Sequence, residues 1–134
     1  MTYFTSVPTQ QGINHLPANP CKLLDFQLLI LPAGQSYSAA TGNREVLAVI
    51  LGGKGTFRVG GQEFANAGGR PNVFAGKPHA VYMPCGSDFT VTAQGRLEVG
   101  LCSAPSDLAT APYVIGPEQV TSGTWGAANF SRNF

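Results

Sequence analysis

Charge is scarce in this chain. Only 11% of its 134 residues are Asp, Glu, Lys or Arg, against roughly 25% in an average soluble domain. Eight basic and seven acidic residues leave a formal charge of +1, with no basic cluster. Nucleic acid and anionic membrane surfaces need such a cluster, so neither is expected as a partner. Histidine is rarer still: His15 and His79 are the whole supply, so one chain cannot build a three-imidazole metal centre. The cysteines Cys21, Cys85 and Cys102 are odd in number and widely spaced. Without a Cys-x-x-Cys pair, they suit neither a disulfide framework nor a structural zinc site. No apolar stretch approaches the ~20 residues of a membrane span, and no basic region followed by an apolar run opens the sequence. These absences make a reduced, cytoplasmic protein the expectation.

What is abundant is punctuation. Seventeen glycines and ten prolines break the chain into short apolar or alternating runs, and no helical period is sustained. Strands are predicted at Leu24–Leu31, Glu45–Leu51, Gly55–Val59, Gln62–Ala65, Asn72–Phe74, His79–Met83, Phe89–Ala93 and Arg96–Cys102, with a short one at Tyr113–Ile115. Gly52-Gly53 and Gly60-Gly61 suit tight hairpins, because glycine accepts positive φ. Closely spaced strands of this kind imply an all-β sandwich or barrel, and the length fits one domain able to bury roughly two thirds of its unfolded surface. The expected organisation is an irregular arm over 1–23, a barrel over 24–120 and, over 121–134, an irregular tail or the start of an interdomain connection. Trp125, Phe130 and Phe134 stand in that polar tail without periodicity, which calls for another surface to cover them.

Leu31-Pro32-Ala33-Gly34, then Glu45, then Gly52-Gly53-Lys54-Gly55 and Val59-Gly60-Gly61 resemble the first motif of the cupin superfamily, and Pro84-Cys85-Gly86 resembles the second. The resemblance implies a double-stranded β-helix, or jelly-roll barrel. In that superfamily a His-x-His pair, a glutamate and a later histidine hold a divalent metal, a ligand set suited to zinc, iron, nickel or manganese. Here the His-x-His slots fall between Ser38 and Gly42, on Ser38, Ala39, Ala40, Thr41 and Gly42, and the later slot falls on Phe89. Only Glu45 remains, and one carboxylate does not hold a transition metal. The expectation is no metal and no cofactor, with Phe89 filling the ion's place and Glu45 facing it inside the barrel.

A closer resemblance is to the 5-deoxyglucuronate isomerase (IolB/KduI) family of sugar-acid isomerases. It rests on Leu29-Ile30-Leu31-Pro32-Ala33-Gly34, Thr41-Gly42-Asn43-Arg44-Glu45, the run from Phe74 through Gly76-Lys77-Pro78-His79 to Phe89-Thr90-Val91, Cys102-Ser103-Ala104-Pro105 and Ile115-Gly116-Pro117-Glu118. Members have two cupin halves, and these segments are similar to the N-terminal one, which is metal-free. The resemblance therefore implies a non-catalytic half working beside a metal-bearing second cupin half in myo-inositol catabolism. The other reading is a free-standing, metal-free cupin, dimeric or not, that takes a small sugar acid or organic acid in its barrel mouth. A purely structural module with a filled barrel is a third. Whether the chain is itself an enzyme stays open at this point.

The candidate residues each have a plain structural alternative. Glu45 on an apolar wall suits acid-base work if its pKa is raised, or it is simply hydrogen-bonded to Arg44, Tyr82 or a serine. His79 is a candidate base, or a satisfied strand residue. Arg44, Arg58 and Arg70 are candidates to grip a sugar carboxylate, with Tyr82 and Phe89 lining the same space, or they are solvated strand-end charges. Cys85 lacks the basic neighbour that would activate it. His15 is expected to be exposed on the arm.

Overall fold

The computed structural model describes residues 4–134. Twelve strands build it: β1 (Gly12–His15), β2 (Asp25–Leu31), β3 (Ser36–Ala40), β4 (Arg44–Gly52), β5 (Lys54–Val59), β6 (Gln62–Gly68), β7 (His79–Met83), β8 (Asp88–Ala93), β9 (Leu97–Pro105), β10 (Tyr113–Ile115), β11 (Thr124–Trp125) and β12 (Arg132–Asn133). A six-stranded sheet runs β1-β2-β9-β4-β7-β10 and packs on a four-stranded sheet β3-β8-β5-β6. All pairings are antiparallel. Between β2 and β9 the chain crosses repeatedly from one sheet to the other, as the jelly-roll barrel expected from sequence requires.

The core lies between the sheets. Leu29, Ile50, Phe57, Met83, Leu97 and Val99 are fully buried there, drawn from both sheets by the two-residue period of strand side chains. In β4 this period sends Val46, Ala48 and Ile50 inward, while Glu45, Leu47, Val49 and Leu51 lie on the other face and are only half-buried. Glu45 therefore does not face into the barrel, contrary to expectation. Both alternating sets of β4 are apolar, so hydrophobicity alone did not distinguish them.

Four other expectations change. The arm holds a strand, β1, paired to β2 with Ile13 opposite Leu29; its anchor is Asn14, whose amide donates to the carbonyls of Gln10, Gly12 and Leu28. Of that arm, residues 1–3 lie outside the described residues. Ser36–Ala40 is a strand despite its small polar residues, because Tyr37 and Ala39 pack on the core while Ser36 and Ser38 exchange hydrogen bonds with Thr92 and Thr90. Asn72–Phe74 is a turn, not a strand: the Asn72 side-chain oxygen accepts the Phe74 N–H, and the Asn72 carbonyl accepts that of Ala75. Gly52-Gly53 is not a hairpin but the corner where the chain crosses between sheets. A Cβ on Gly53, at φ +88°, would run into the Arg96 carbonyl. Gly60-Gly61 does close a two-residue hairpin, with Val59 opposite Gln62.

Beyond β10 a 3₁₀ turn at Pro117–Gln119 leads into a β11–β12 hairpin. Trp125 packs on Phe134 with ring centroids 4.7 Å apart. Among the described residues, no helix is long and apolar enough to cross a membrane.

Phe57 is completely enclosed, whereas Phe130 is 76% exposed. Phe57→Ala is expected to lower stability by about 3–5 kcal/mol through lost burial and the cavity left behind, and Phe130→Ala to change it by less than about 0.5 kcal/mol, both read by urea unfolding.

Candidate functional site

The mouth of the barrel is built by the β3–β4 loop clasped to the β7–β8 turn. Thr41 does the clasping: its hydroxyl donates to the Pro84 carbonyl (2.8 Å) and accepts the Ser87 N–H (2.9 Å), while its own N–H donates to the Ser87 carbonyl. Gly86 adds a bond to the Gly42 carbonyl. Phe89 leaves this turn on β8 and lies in the core, 6% exposed, with its ring 6.2 Å from that of Tyr37. A cavity of about 170 Å³ remains beside it, bounded by Tyr37, Ala39, Thr41, Arg44, Phe89 and Ser103, with Asp25 and Gln27 at one side. The slots where a metal-binding cupin carries imidazoles thus hold alanines, a committed threonine and a phenyl ring. Such a donor set does not fit a divalent transition metal, and among the described residues no group of three or more His, Cys, Asp or Glu is placed to hold one.

Arg44 is the cation of this mouth. Its Nε donates to the Ser103 hydroxyl (3.0 Å), and its Nη2 to the carbonyls of Ser103 (3.0 Å) and Leu23 (2.8 Å). All three acceptors are neutral, and no carboxylate among the described residues forms an ion pair with it; the two ion pairs found are Arg58–Glu63 and Arg96–Glu98. Nearby, the Asp25 Oδ1 accepts from the Phe26 N–H and the Asn19 amide.

Glu45 belongs to a different place. On the outer face of the six-stranded sheet, directly opposed residues form one row across five strands: Phe26, Cys102, Leu47, Tyr82 and Tyr113. Glu45 sits beside that row and accepts a 2.8 Å hydrogen bond from the Tyr82 hydroxyl. Tyr82 in turn stacks on Tyr113, centroids 4.8 Å apart and planes within 22°. The bond to the carboxylate, then desolvation, then the carboxylate's charge push the Tyr82 phenol from its ordinary 10.0 up to about 12. Desolvation against the same wall raises the Cys102 thiol, although the residue as a whole is exposed. Together these side chains floor a cleft of about 510 Å³, walled by Leu16 of the arm, by Leu24 just before β2 and by Tyr113 and Ile115 of β10.

The remaining candidates line neither cavity and make the following contacts. His79 accepts the Gly68 N–H on Nδ1 at 2.8 Å, which leaves the proton on Nε2 in the neutral ring. Arg70 donates to the carbonyls of Ile50 and Gly76 and pins the 70–76 loop. Arg58 pairs with Glu63 in solvent. The Cys85 thiol points to the Leu108 carbonyl at 3.5 Å, and His15 is exposed on β1 against the Gln27 amide. So the structure brings Arg44 and Phe89 together in the mouth, Glu45 and Tyr82 together on the outer face, and leaves His79 apart from both. Sequence reading missed Tyr37, Ser103 and Tyr113; the only signal for Tyr113 was its short strand, and the partner strand was not deducible.

The sequence profile of the KduI/IolB family matches residues 5–134. The chain belongs to the KduI/IolB family. Among KduI/IolB relatives, the 5-deoxy-glucuronate isomerase of Shouchella clausii is 36% identical over 89 residues, which cover 66% of this chain and 33% of that protein. An IolB-like protein from Salmonella typhimurium LT2 superposes with a TM-score of 0.87 at 24% identity, over 98% of this chain and 52% of the other. The cupin domain of Schizosaccharomyces pombe Cnp3 superposes at 0.55 and 14% identity, over 75% of this chain and 69% of the other. These neighbours establish the cupin fold. This KduI/IolB chain spans about a third of the length of the Shouchella relative and about half that of the Salmonella structure.

Because Tyr82 titrates high in the folded state, its contribution to stability is fully present below pH 10.0 and is lost as pH rises through about 12. Tyr82→Phe is expected to flatten the alkaline fall in stability over that window, as measured by denaturant midpoints. Glu45→Gln should return one tyrosine, followed by ultraviolet tyrosinate absorbance, toward ordinary titration.

Proposed function

We propose that this chain is the metal-free, non-catalytic cupin unit of a 5-deoxyglucuronate isomerase-like sugar-acid isomerase acting in myo-inositol catabolism, and that a second, metal-bearing cupin unit completes the enzyme. The observation that carries the reading is the mouth itself, where Phe89, Ala39 and Ala40 stand in the ligand slots and Arg44 brings a positive charge. Aldose-ketose interconversion moves a proton between adjacent carbons, and needs a base together with an electrophile that stabilises the enediolate. The mouth does not assemble that pair: Asp25 is the carboxylate lining it, with one oxygen already committed, and Arg44 is tied to three neutral acceptors. Family membership supports the sugar-acid isomerase part of this reading. The hairpin tail offers the second unit a surface, because Trp125 and Phe130 are 73% and 76% exposed and apolar side chains of that size favour coverage.

The purified chain is expected to carry no stoichiometric zinc, iron, nickel or manganese by elemental analysis, and not to turn over 5-deoxyglucuronate alone. One tightly held ion per chain, or turnover without a partner, would overturn the proposal.

One observation favours a second reading, a small-acid binder complete in itself: among the described residues no carboxylate forms an ion pair with Arg44, which lies beside a partly polar cavity of about 170 Å³. That volume lies below the ~300–1,000 Å³ of pockets for drug-sized ligands, so the acid has only a few carbons. On this reading, titration calorimetry shows saturable binding of lactate or glycerate that is lost in Arg44→Met while the variant still unfolds cooperatively. Absence of any such binding removes the second reading and leaves the first intact.

A further inference from the structure

The outer cleft differs in chemistry from the mouth. Its floor and walls are apolar, from Phe26, Leu47, Leu24 and Ile115, and the carboxylate set among them is that of Glu45; Asp25 stands at the edge shared with the mouth. No Lys, Arg or His lines it. Glu45 is held in place from one side only. Tyr82 donates to Oε2, while Oε1 has no hydrogen bond among the described residues. Beside that carboxylate lie the stacked rings of Tyr82 and Tyr113, and aromatic faces attract cations.

We infer that this cleft is a second binding site, separate from the barrel mouth, for a small apolar amine whose ammonium group pairs with Glu45 and whose hydrocarbon body packs on the Tyr82–Tyr113 stack. An anionic sugar acid is excluded twice over. The Glu45 carboxylate repels it, and apolar walls leave its hydroxyls without partners. A neutral apolar molecule fits the walls but leaves a carboxylate desolvated without a counter-charge, which costs more than a bare surface would. Only a cation with an apolar body satisfies both the charge and the walls. The cleft is concave, closed on two sides by the arm and β10, and its volume of about 510 Å³ lies within the range of small-molecule pockets. A flat protein-docking face has no such walls. The site rests on Glu45, Tyr82 and Tyr113, none of which touches the mouth, so it stands independently of the role proposed for the mouth.

Three probes of similar shape and different charge test this on the full chain by titration calorimetry: 2-phenylethylamine, 2-phenylethanol and phenylacetate. The amine is expected to bind saturably at one site, with phenylacetate at least about tenfold weaker, the scale of one charge-assisted hydrogen bond. Glu45→Gln should weaken the amine by about the same factor and leave the alcohol nearly unchanged, while Tyr113→Ala weakens both. The probe series on the unaltered chain decides the matter even if a variant folds poorly. Equal affinity for amine and acid, amine binding untouched by a well-folded Glu45→Gln, or no saturable binding of any probe would overturn the inference. So would self-association that depends on Glu45 in the absence of amine binding, since the cleft would then belong to another chain.

Discussion

The register of β4 is the constraint on which everything else depends. This strand is paired on both sides, with β9 and with β7, and a side chain's face is decided by whether its position is odd or even. A slip of one residue would exchange the two faces. As paired, Arg44 and Val46 look toward the mouth, and Glu45 and Leu47 look away from it. The glutamate that the cupin pattern associates with a metal is thereby turned to the outside of the sheet, and an arginine takes the inside. From that single choice follow the arginine in the mouth and the carboxylate in the outer cleft.

The two sheets also present different outsides. The four-stranded sheet carries hydroxyl pairs, Ser36 with Thr92 and Ser38 with Thr90, together with the Arg58–Glu63 ion pair, and such a surface is satisfied by water. The six-stranded sheet carries the row from Phe26 to Tyr113, with Leu47, Val49 and Leu51 half-buried on the same face. Antiparallel sheets that meet solvent alternate apolar and polar residues, whereas sheets covered on both faces are apolar on both. β4 follows the second pattern, so the outer face of its sheet is the one equipped to hold something.

Much of the barrel was legible in the chain. The seven long strands from β2 to β9 that carry apolar or β-branched runs, and the two-residue turn at Gly60-Gly61, follow from period and glycine placement. β3 was not legible, because Ser-Tyr-Ser-Ala-Ala has little strand preference of its own and is held by Thr90 and Thr92 far along the sequence. β1 depends likewise on Asn14 reaching the Leu28 carbonyl. Asn72–Phe74 misled in the other direction: its β-prone side chains are overruled by an asparagine side chain that closes a turn on its own backbone. For the site, the expectation that Phe89 fills core space agrees with its burial, and the bond anticipated between Glu45 and Tyr82 is present.

The sequence by itself determined the fold class, the family and the poverty of metal ligands, because each of these rests on residue identity and local spacing. Two histidines cannot become three in any conformation. Tertiary structure alone decided which face each candidate occupies and which of them meet. Glu45 and Tyr82 are brought together by the pairing of β4 with β7, Tyr82 and Tyr113 by that of β7 with β10, and Arg44 and Phe89 by the packing of one sheet on the other. In a strand apolar on both faces, residue identity does not say which face is inside. That is settled only when the whole sheet has formed and its register sums over every neighbouring strand.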